Sequence, residues 1–373
     1  MNFGFFMPTR IFFGKDSMKS NAGELHKLGE RCFIVTGRKS GAASGALDDM
    51  KKALDSQGIR WKVFDAIDNN PSVENVNDAA ALARSWKAEF IAGIGGGSPL
   101  DAAKAVAVLS VNDIEPVGLF TNKFLNKPLP LITIPTTAGT GSEVTPYCVL
   151  TRKDMQTKMS FGNEFTFPRV SFLDPSYTMS LPYDVTINTA IDAFSHVMEG
   201  YLSRKATPVS DALAVEAMGI FGSCLDGLSE NSSGIDEGVR EKLLYISMLG
   251  GMIITHTSTT IIHGMGYSLT YFFDIPHGKA NAVFFRDYLK YNYDYASCKI
   301  DKMLSLLKCH DIDEFGEKIE NMVKNGNLLI SNEEIEKFAA ITMTMRSTSN
   351  NLRNVEEKDL IMLMKRSLDR QAL

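Results

Sequence analysis

Three of the six histidines lie in segments whose spacing suggests a metal site. Asp192 and His196 are four residues apart in TINTAIDAFSHVMEGYL, so on a helix both side chains occupy one face. His263 and His277 follow in IIHGMGY and IPHGKANA. One carboxylate and three neutral imidazoles form a donor set for Fe²⁺ or Zn²⁺, and a catalytic ion would keep one position open for a substrate oxygen. A hydrogen bond between two side chains one helical turn apart is the alternative explanation of the first pair.

The residues beside the later histidines favour the metal hypothesis. A glycine follows both His263 and His277, and a small neighbour lets a ligand approach. His256 is an alternative candidate for a metal ligand, but it lies in a helical segment that precedes His263, and serine and threonine surround it. The histidines not expected to be ligands are His26, His256 and His310.

Two loops of small residues suggest a nucleotide site. Residues 94–99 (IGGGSP) join a buried strand to a helix, where backbone N–H groups and the helix N-terminus favour phosphate. The three glycines exceed what a tight turn needs, although they do not form the GxGxxG fingerprint. Residues 136–142 (TTAGTGS) follow another strand, with an ordinary polar loop as the alternative. Both loops would lie at the carboxyl edge of a parallel sheet, where open α/β proteins bind ligands.

The elements that must position these residues change character at Pro182. Upstream, strands alternate with helices, which indicates a parallel sheet with helices on its faces. The strands are predicted near 31–37, 61–67, 89–97, 129–143, where the strand ends in a Gly/Thr loop, and 170–177, and the helices near 44–58, 72–87 and 98–110. Residues 144–161 are predicted to form a hairpin added to the edge of that sheet.

Downstream of Pro182, helical periodicity predominates. The helix-rich runs lie near 184–204, 207–228, 238–258, 278–293 and 333–345, with a charged amphipathic helix over 353–370. We therefore predict an α/β dinucleotide-binding domain over residues 1–181 and an all-helical, metal-binding domain over residues 182–373.

Composition excludes several classes of partner. The chain has 39 Lys and Arg and 44 Asp and Glu, which gives a net charge of −5. It therefore lacks the excess of basic residues that is typical of proteins that bind nucleic acid or an anionic membrane. Five cysteines without a CxxC pair argue against a disulfide framework or a thiolate zinc site, and they fit a reducing cytoplasm. The N-terminus does not resemble a signal peptide, and no apolar run is long enough for a membrane span.

Long motifs resemble those of the iron-containing (group III) alcohol dehydrogenases, which share a fold with glycerol dehydrogenase and dehydroquinate synthase. The resemblance runs from the N-terminal segment FMPTRIFFG to beyond residue 293, and the remaining C-terminal segment matches weakly. The motifs are GGGSPLDAAKAVA (95–107), IPTTAGTGSEVTPY (134–147), FLDP (172–175), IDAFSHVMEGYLSRKA (191–206) and IPHGKANAV (275–283).

The resemblance implies a dehydroquinate synthase-like fold, with the active site in the cleft between the two domains. Asp192, His196, His263 and His277 match the family's metal ligands, for which Fe²⁺ is the usual ion and Zn²⁺ occurs in some members. The same donor set suits both ions, so the sequence does not choose between them.

The resemblance also implies a set of cofactor contacts. Asp101 has an alternative role as a charge near a helix N-terminus, and Lys158 has one as a solvated hairpin charge. The matched cofactor residues are Asn70, Gly96, Gly97, Ser98, Asp101, Thr136, Thr137, Thr140 and Lys158.

The end of the first predicted strand favours NADP(H) over NAD(H). NAD-using members of the family usually carry Thr-Asp there, and such a carboxylate binds the ribose 2′-hydroxyl and repels a 2′-phosphate. Here Gly37 takes the acidic position, and Arg38, Lys39 and Ser40 offer positive charge and a hydroxyl to a phosphate. A basic surface turn is the alternative.

The activity that the resemblance implies is reversible interconversion of a small primary alcohol and its aldehyde. Hydride passes between substrate and nicotinamide while the metal acts as a Lewis acid. In a cytoplasm we favour the reducing direction. Many members carry a histidine, often credited with proton relay, four residues after the third ligand; Tyr267 stands there, and a tyrosine can also donate and accept a proton. A packing tyrosine is the alternative.

Two rival functions stay open. A dehydroquinate synthase-like lyase would need extra basic residues that are not evident, and a non-catalytic nucleotide-binding protein would not need the full ligand set. The sequence does not identify the substrate. The candidates are short-chain aldehydes, lactaldehyde-like diols and anionic aldehydes of the phosphono- or sulfoacetaldehyde type. The sequence does not give the oligomeric state, and the resemblance implies a homodimer, formed through the segment FFMPTRIFFG. Small apolar substrates are slightly favoured by Phe272, Phe273, Phe284 and Phe285, although core packing explains most such aromatics.

Overall fold

The computed structural model describes residues 2–155, 157–229, 235–323 and 330–371. They form two compact units. One unit spans Met7–Leu181, and the other spans Pro182–Leu373 together with the residues before Met7.

The first unit is built on a six-stranded, wholly parallel sheet, as the alternating pattern predicts. Its strand order is β1-β8-β5-β4-β2-β3. The strands of the unit, including those of a separate two-stranded sheet, are β1 (Arg10–Phe13), β2 (Arg31–Gly37), β3 (Arg60–Ile67), β4 (Phe90–Gly95), β5 (Leu131–Pro135), β6 (Cys148–Arg152), β7 (Thr157–Phe161) and β8 (Val170–Leu173). Its helices are α1 (Ser17–Ser20), α2 (Ser40–Ala43), α3 (Ala46–Ser56), α4 (Val73–Trp86) and α5 (Gly97–Leu109).

Both faces of this sheet are covered, which explains the nearly continuous apolar runs of its strands. Phe33 and Val35 of β2 lie in a buried cluster with residues of α4 and α5. The intervening Cys32 and Ile34 belong to a second cluster with residues of α3, because successive side chains of a strand point to opposite faces. Ser72 caps the N-terminus of α4, since its hydroxyl accepts a hydrogen bond from the backbone N–H of Asn75.

The predicted position of the hairpin is wrong. β6 and β7 pair with each other as a separate antiparallel sheet, and the strands at the edges of the six-stranded sheet are β1 and β3. The hairpin is held elsewhere: Thr151 pairs with the loop at Ser72, and the backbone N–H of Val149 donates to the carboxylate of Asp101 on α5. These contacts satisfy backbone groups that a sheet edge would otherwise have satisfied.

Among the described residues of the second unit, the long elements are all helices, as predicted, and one isolated antiparallel bridge joins Ser203 to Asn351. Its helices are α6 (Tyr183–Tyr201), α7 (Pro208–Ser229), α8 (Glu237–Thr257), α9 (Ile261–Phe273), α10 (His277–Ala282), α11 (Phe285–Leu306), α12 (Ile312–Val323), α13 (Asn332–Met343) and α14 (Glu357–Gln371).

Three details of the helical prediction are wrong. The run near 278–293 is divided between α10 and α11, and neither α9 nor the amphipathic α12 was identified. Helix α9 reads IIHGMGYSLTYFF, and its two glycines weaken the helical signal of the sequence.

The extreme N-terminus belongs to the helical unit, whereas the predicted boundaries place it in the α/β domain. The ring of Phe5 stacks on His256 with centroids 4.1 Å apart, and the backbone N–H of Phe6 donates to His256 Nε2. The other ring nitrogen, Nδ1, lies 2.8 Å from the carbonyl oxygen of Met252. Both nitrogens of His256 are therefore engaged, which is consistent with the expectation that it is not a metal ligand.

Helix α7 was not expected to resemble a membrane span. Residues Pro208–Leu228 are nevertheless long and apolar enough to cross a membrane by length and composition. In the structure this helix packs against α6 and α8, and Phe221 stacks on Phe194 of α6 with ring centroids 4.4 Å apart. Within the structure, 44% of its apolar stretch is buried, and a single helix of this kind is weak evidence for a membrane span.

Candidate functional site

Three of the four predicted metal ligands converge inside the helical unit. Asp192 and His196 share one face of α6, and His263 lies in the first turn of α9. All three are buried, and one ligand atom from each lies within 4.8 Å of the others. His263 Nε2 is 3.7 Å from Asp192 Oδ1, and the rings of His196 and His263 are nearly parallel at 4.7 Å.

His277 completes the predicted set beside Asp192. It is the first residue of α10, and its Nε2 lies 3.8 Å from Asp192 Oδ1. Its ring centroid is 5.1 Å from that of His263. The side chain is 24% exposed, whereas that of His263 is 3% exposed, so the cluster is more open on the His277 side.

The glycine after His277 has a clear structural reason. A Cβ at Gly278 would collide with the backbone carbonyl of Asn188 on α6, and it would lie 3.0 Å from the backbone nitrogen of Asp192. Gly278 therefore lets α10 approach the helix that carries Asp192, as the His-Gly pattern predicts. Gly264 serves a different purpose, because a Cβ there would meet Thr342 at 2.7 Å. Its small size accommodates the contact with α13.

The donor set fits a divalent metal ion. Among the described residues, the buried Nε2 of His263 has no hydrogen-bond partner, although a buried polar atom normally has one. Its neighbours are the Asp192 carboxylate and two further imidazoles, which are ligands that Fe²⁺ and Zn²⁺ accept. A helical hydrogen bond between Asp192 and His196 alone would not bring His263 and His277 to the same carboxylate.

Glu199 is a residue of this cluster that the sequence reasoning missed. It lies three residues after His196 on α6, and its side chain is fully buried. One carboxylate oxygen is in close contact with His263 Nδ1. Burial opposes its charge, but His263 and hydrogen bonds from Thr260 outweigh that effect and hold the pKa of Glu199 below its ordinary value. Its place seven residues after Asp192, on the same helix face, was the available signal.

Tyr267 also lies in this cluster. Its ring stacks on His277 with centroids 4.9 Å apart, and it meets the edge of His263 at 6.2 Å. The aromatic residues suggested as substrate contacts pack elsewhere: Phe272 and Phe273 meet Phe338, and Phe284 and Phe285 are buried. They provide no information about the substrate.

The two predicted nucleotide loops meet in the α/β unit, at the carboxyl ends of β4 and β5. Gly95 has φ +142°, a conformation that only glycine adopts readily, and a Cβ there would lie 2.7 Å from Pro99. A Cβ at Gly96 would approach Thr137 to 3.2 Å, and one at Gly97 would approach Thr140 to 2.6 Å. The close approach of the second loop therefore accounts for the run of glycines.

A third segment joins these loops. The backbone N–H of Asn70 donates to the hydroxyl of Ser98 at 3.1 Å, and Lys158 Nζ donates to the Asn70 side-chain oxygen at 2.8 Å. Asn70, Ser98 and Lys158, three of the predicted cofactor residues, thus form one connected group.

Asp101 and Lys104 anchor the second loop from within α5. The Asp101 carboxylate accepts hydrogen bonds from Ser142 Oγ at 2.5 Å and from the N–H of Val149 at 2.9 Å. The buried Lys104, which the sequence reasoning also missed, donates to Ser142 Oγ and to the carbonyl of Tyr147, each at 2.6 Å. Burial lowers the pKa of Lys104, with the charge of Asp101 opposing the shift.

The predicted phosphate turn lies between β2 and α2. A Cβ at Gly37 would lie 3.5 Å from both Pro99 and the hydroxyl of Ser40, which places the turn beside the glycine loop. Arg38 and Lys39 are exposed. Arg38 forms a surface ion pair with Asp68 at 3.2 Å.

The chain combines a parallel-sheet unit that carries a glycine-rich loop with a helical unit that carries a carboxylate–histidine cluster. These are the features of a metal-dependent oxidoreductase that uses a nicotinamide cofactor. Residues 8–175 match the family model described as iron-containing alcohol dehydrogenase, and residues 186–368 match that of its C-terminal region. The chain belongs to the iron-containing alcohol dehydrogenase family, as the motifs predict.

Three relatives illustrate the range of this family. The chain is 32% identical to 1,3-propanediol dehydrogenase of Klebsiella pneumoniae, covering 78% of this chain and 75% of that one. It is 36% identical to sulfoacetaldehyde reductase of Bilophila wadsworthia, covering 75% and 72%. A crystal structure of sulfoacetaldehyde reductase from Bifidobacterium kashiwanohense, in complex with NAD⁺, superposes with a TM-score of 0.88 at 28% identity over 99% of both chains.

Proposed function

We propose that the protein is a metal-dependent alcohol dehydrogenase that interconverts a small primary alcohol and its aldehyde and prefers NADP(H). The observation that carries this proposal is the convergence of Asp192, His196 and His263, with ligand atoms within 4.8 Å of one another. Fe²⁺ is the ion we favour, with Zn²⁺ as the alternative, because carboxylate and imidazole ligands suit both.

Asp192, His196, His263 and His277 would hold the ion. When bound, such an ion supplies Lewis-acid polarisation of a substrate oxygen, which favours the alkoxide of an alcohol and activates an aldehyde toward hydride. The Asp192 carboxylate adds one negative charge to three imidazoles. The partly exposed side chain of His277 leaves that side of the cluster open to a small substrate.

The glycine loop and its neighbours would bind the cofactor. Backbone N–H groups near Gly96 and Gly97 suit a diphosphate, and Lys158 adds positive charge beside Asn70. The cofactor site would be completed by the loop after β5, with Thr136, Thr137 and Thr140. Gly37 lacks the carboxylate that would repel a 2′-phosphate, and Arg38, Lys39 and Ser40 offer it charge and a hydroxyl.

Tyr267 is our candidate for moving the proton. Its ring lies against two of the predicted ligands, and a phenol can donate and accept a proton. Reduction of an aldehyde consumes one proton at the product oxygen, so a donor beside the metal cluster would serve the reaction.

A reductase of a small anionic aldehyde is the second candidate. The 36% identity to a sulfoacetaldehyde reductase favours this candidate, whereas the 32% identity to a 1,3-propanediol dehydrogenase favours the first one. Comparing propionaldehyde, lactaldehyde and sulfoacetaldehyde as substrates separates the two candidates, since an anionic-aldehyde reductase would prefer the last by kcat/KM.

The experiment that tests the proposal follows the near-ultraviolet absorbance of NADPH and NADH with this aldehyde panel, before and after chelation. We expect oxidation of NADPH that is lost on chelation and restored by Fe²⁺ or Zn²⁺. Turnover unaffected by chelation, in protein shown to be metal-free, would refute the metal mechanism.

A further inference from the structure

Glu199 is a buried carboxylate in contact with a predicted metal ligand, yet it is not one of the predicted ligands. It lies on α6, the helix that carries Asp192 and His196, and no part of its side chain is exposed. A buried carboxylate is costly unless several donors compensate its charge. Its hydrogen bonds therefore indicate its role.

One carboxylate oxygen of Glu199 accepts hydrogen bonds from the N-terminus of α9. Oε1 accepts the backbone N–H groups of Thr260 at 2.8 Å and Ile262 at 3.1 Å, and the hydroxyl of Thr260 at 2.7 Å. The N–H of His263 is also directed at it, at 3.4 Å. These are donors that a helix leaves unsatisfied at its N-terminus, so Glu199 caps α9 from a neighbouring helix.

The other oxygen, Oε2, contacts Nδ1 of His263. An ionised carboxylate only accepts hydrogen bonds, so this contact places the imidazole proton on Nδ1. The neutral ring then has its lone pair on Nε2, the buried atom that lies 3.7 Å from Asp192 Oδ1. When a carboxylate accepts a hydrogen bond from the ring nitrogen that does not bind the metal, it fixes both the tautomer and the ring orientation of the histidine.

We propose that Glu199 is a positioning residue that holds His263 as the Nδ1–H tautomer and thereby presents Nε2 to the metal ion. The inference rests on the proposed metal-dependent function. The competing explanation is that Glu199 only caps α9, which would stabilise the fold but would not determine the tautomer of His263.

Glu199→Gln separates these two roles. The glutamine oxygen still accepts the N–H groups at the start of α9, and those donors oppose rotation of the amide. Its NH₂ group then faces Nδ1 as a donor, which requires a lone pair there and moves the proton to Nε2. The variant should keep the cap while removing the ligand lone pair. Thr260→Val is the matched control, because it removes the hydroxyl that bonds the same carboxylate and Tyr288 and leaves both groups that form the Glu199–His263 contact in place.

The test uses the full-length, metal-free protein. Calorimetric titration with Zn²⁺ measures affinity, and ¹⁵N NMR of labelled histidine at alkaline pH measures the tautomer, with His263→Gln providing the assignment. We expect Nδ1–H in the wild type, Nε2–H in Glu199→Gln, and a loss of Zn²⁺ affinity of about 10–100-fold in that variant. Thr260→Val should bind Zn²⁺ within about threefold of the wild type, despite a lower melting temperature.

Each contrary outcome has a distinct meaning. A wild type that carries the proton of His263 on Nε2 would overturn the inference, even if Glu199→Gln does not fold. Equal Zn²⁺ affinity in the wild type and Glu199→Gln would also overturn it, as would equal losses in Glu199→Gln and Thr260→Val. Failure of the wild type to bind Zn²⁺ or Fe²⁺ would refute the proposed function instead, and the NMR measurement would still decide whether Glu199 controls the tautomer.

Discussion

Lys104 Nζ lies 2.6 Å from Ser142 Oγ, and through this hydrogen bond a fully buried cation in α5 holds the loop that follows β5. The same ammonium donates to the carbonyl of Tyr147. The carboxylate of Asp101, 3.5 Å away, balances its charge and accepts from the same serine. The loop after β5, which packs against Gly96 and Gly97, is therefore attached to α5, the helix that begins at Gly97.

Lys104→Met should destabilise the α/β unit and weaken nucleotide binding. It leaves the Asp101 carboxylate buried without its counter-charge, and breaking a buried pair in this way costs about 3–5 kcal/mol. The measurements are urea unfolding and titration with NADPH. Adding Asp101→Asn should recover part of the loss, because the uncompensated charge is then removed. A loss no larger than that of the exposed Lys123→Met would contradict this role.

Glu143 should make stability depend on pH. Burial raises its pKa to about 7, whereas its value in the unfolded chain is about 4.5. Because the folded pKa is raised, folding favours the protonated form, and stability falls as pH rises from the unfolded pKa to the folded one. The full loss is on the order of 3 kcal/mol above that window.

Comparing Glu143→Gln with the wild type by urea unfolding across the pH range checks this expectation. The difference should grow in favour of the variant between about pH 5 and pH 7 and then level off. The exposed Glu164→Gln is the surface control. A difference that stays constant with pH would show that Glu143 does not titrate as expected.

The cofactor preference should respond to substitutions at the turn after β2. Gly37→Asp places a carboxylate where the 2′-phosphate would bind, so it should lower the NADP(H) to NAD(H) ratio of kcat/KM by about 10–100-fold. Asp68→Asn should raise the ratio only modestly, because the exposed Arg38–Asp68 pair is worth at most about 1 kcal/mol. A wild-type enzyme that favours NADH tenfold would refute the proposed preference.

Tyr267→Phe should slow turnover if the phenol moves the proton. The substitution keeps the ring against His277 and removes only the hydroxyl. We expect kcat to fall by at least about tenfold with an altered pH profile, since general acid–base groups contribute about 10²–10⁴-fold. Unchanged turnover and an unchanged pH profile would identify Tyr267 as a packing residue.

The fold class could be predicted because alternating strands and helices are local patterns, whereas the convergence of the ligand segments was implied by their resemblance to the motifs of the family. Alternating strands and helices define the parallel sheet, and the spacing of Asp192 and His196 defines a helix face. The position of the hairpin could not be predicted, because it depends on Asp101 and on the loop at Ser72, which are distant in sequence.

Other features escaped prediction for related reasons. Helix α9 contains two glycines, which weaken the helical signal of its sequence. Glu199 and Lys104 look like ordinary charged helical residues in the sequence. Their importance depends on burial and on partners from other elements, and a single sequence contains neither.

The measurement that tests the account most directly is metal analysis combined with aldehyde reduction by wild type and His263→Ala. We predict that the wild type contains one divalent ion per chain, loses both ion and NADPH oxidation on chelation, and recovers both with Fe²⁺ or Zn²⁺. His263→Ala should keep most of its fold but lack stable metal and turnover, because the buried aromatic core of the helical unit around Phe194 and Phe221 does not include that ligand. A His263→Ala protein with full metal occupancy and full activity would contradict the account.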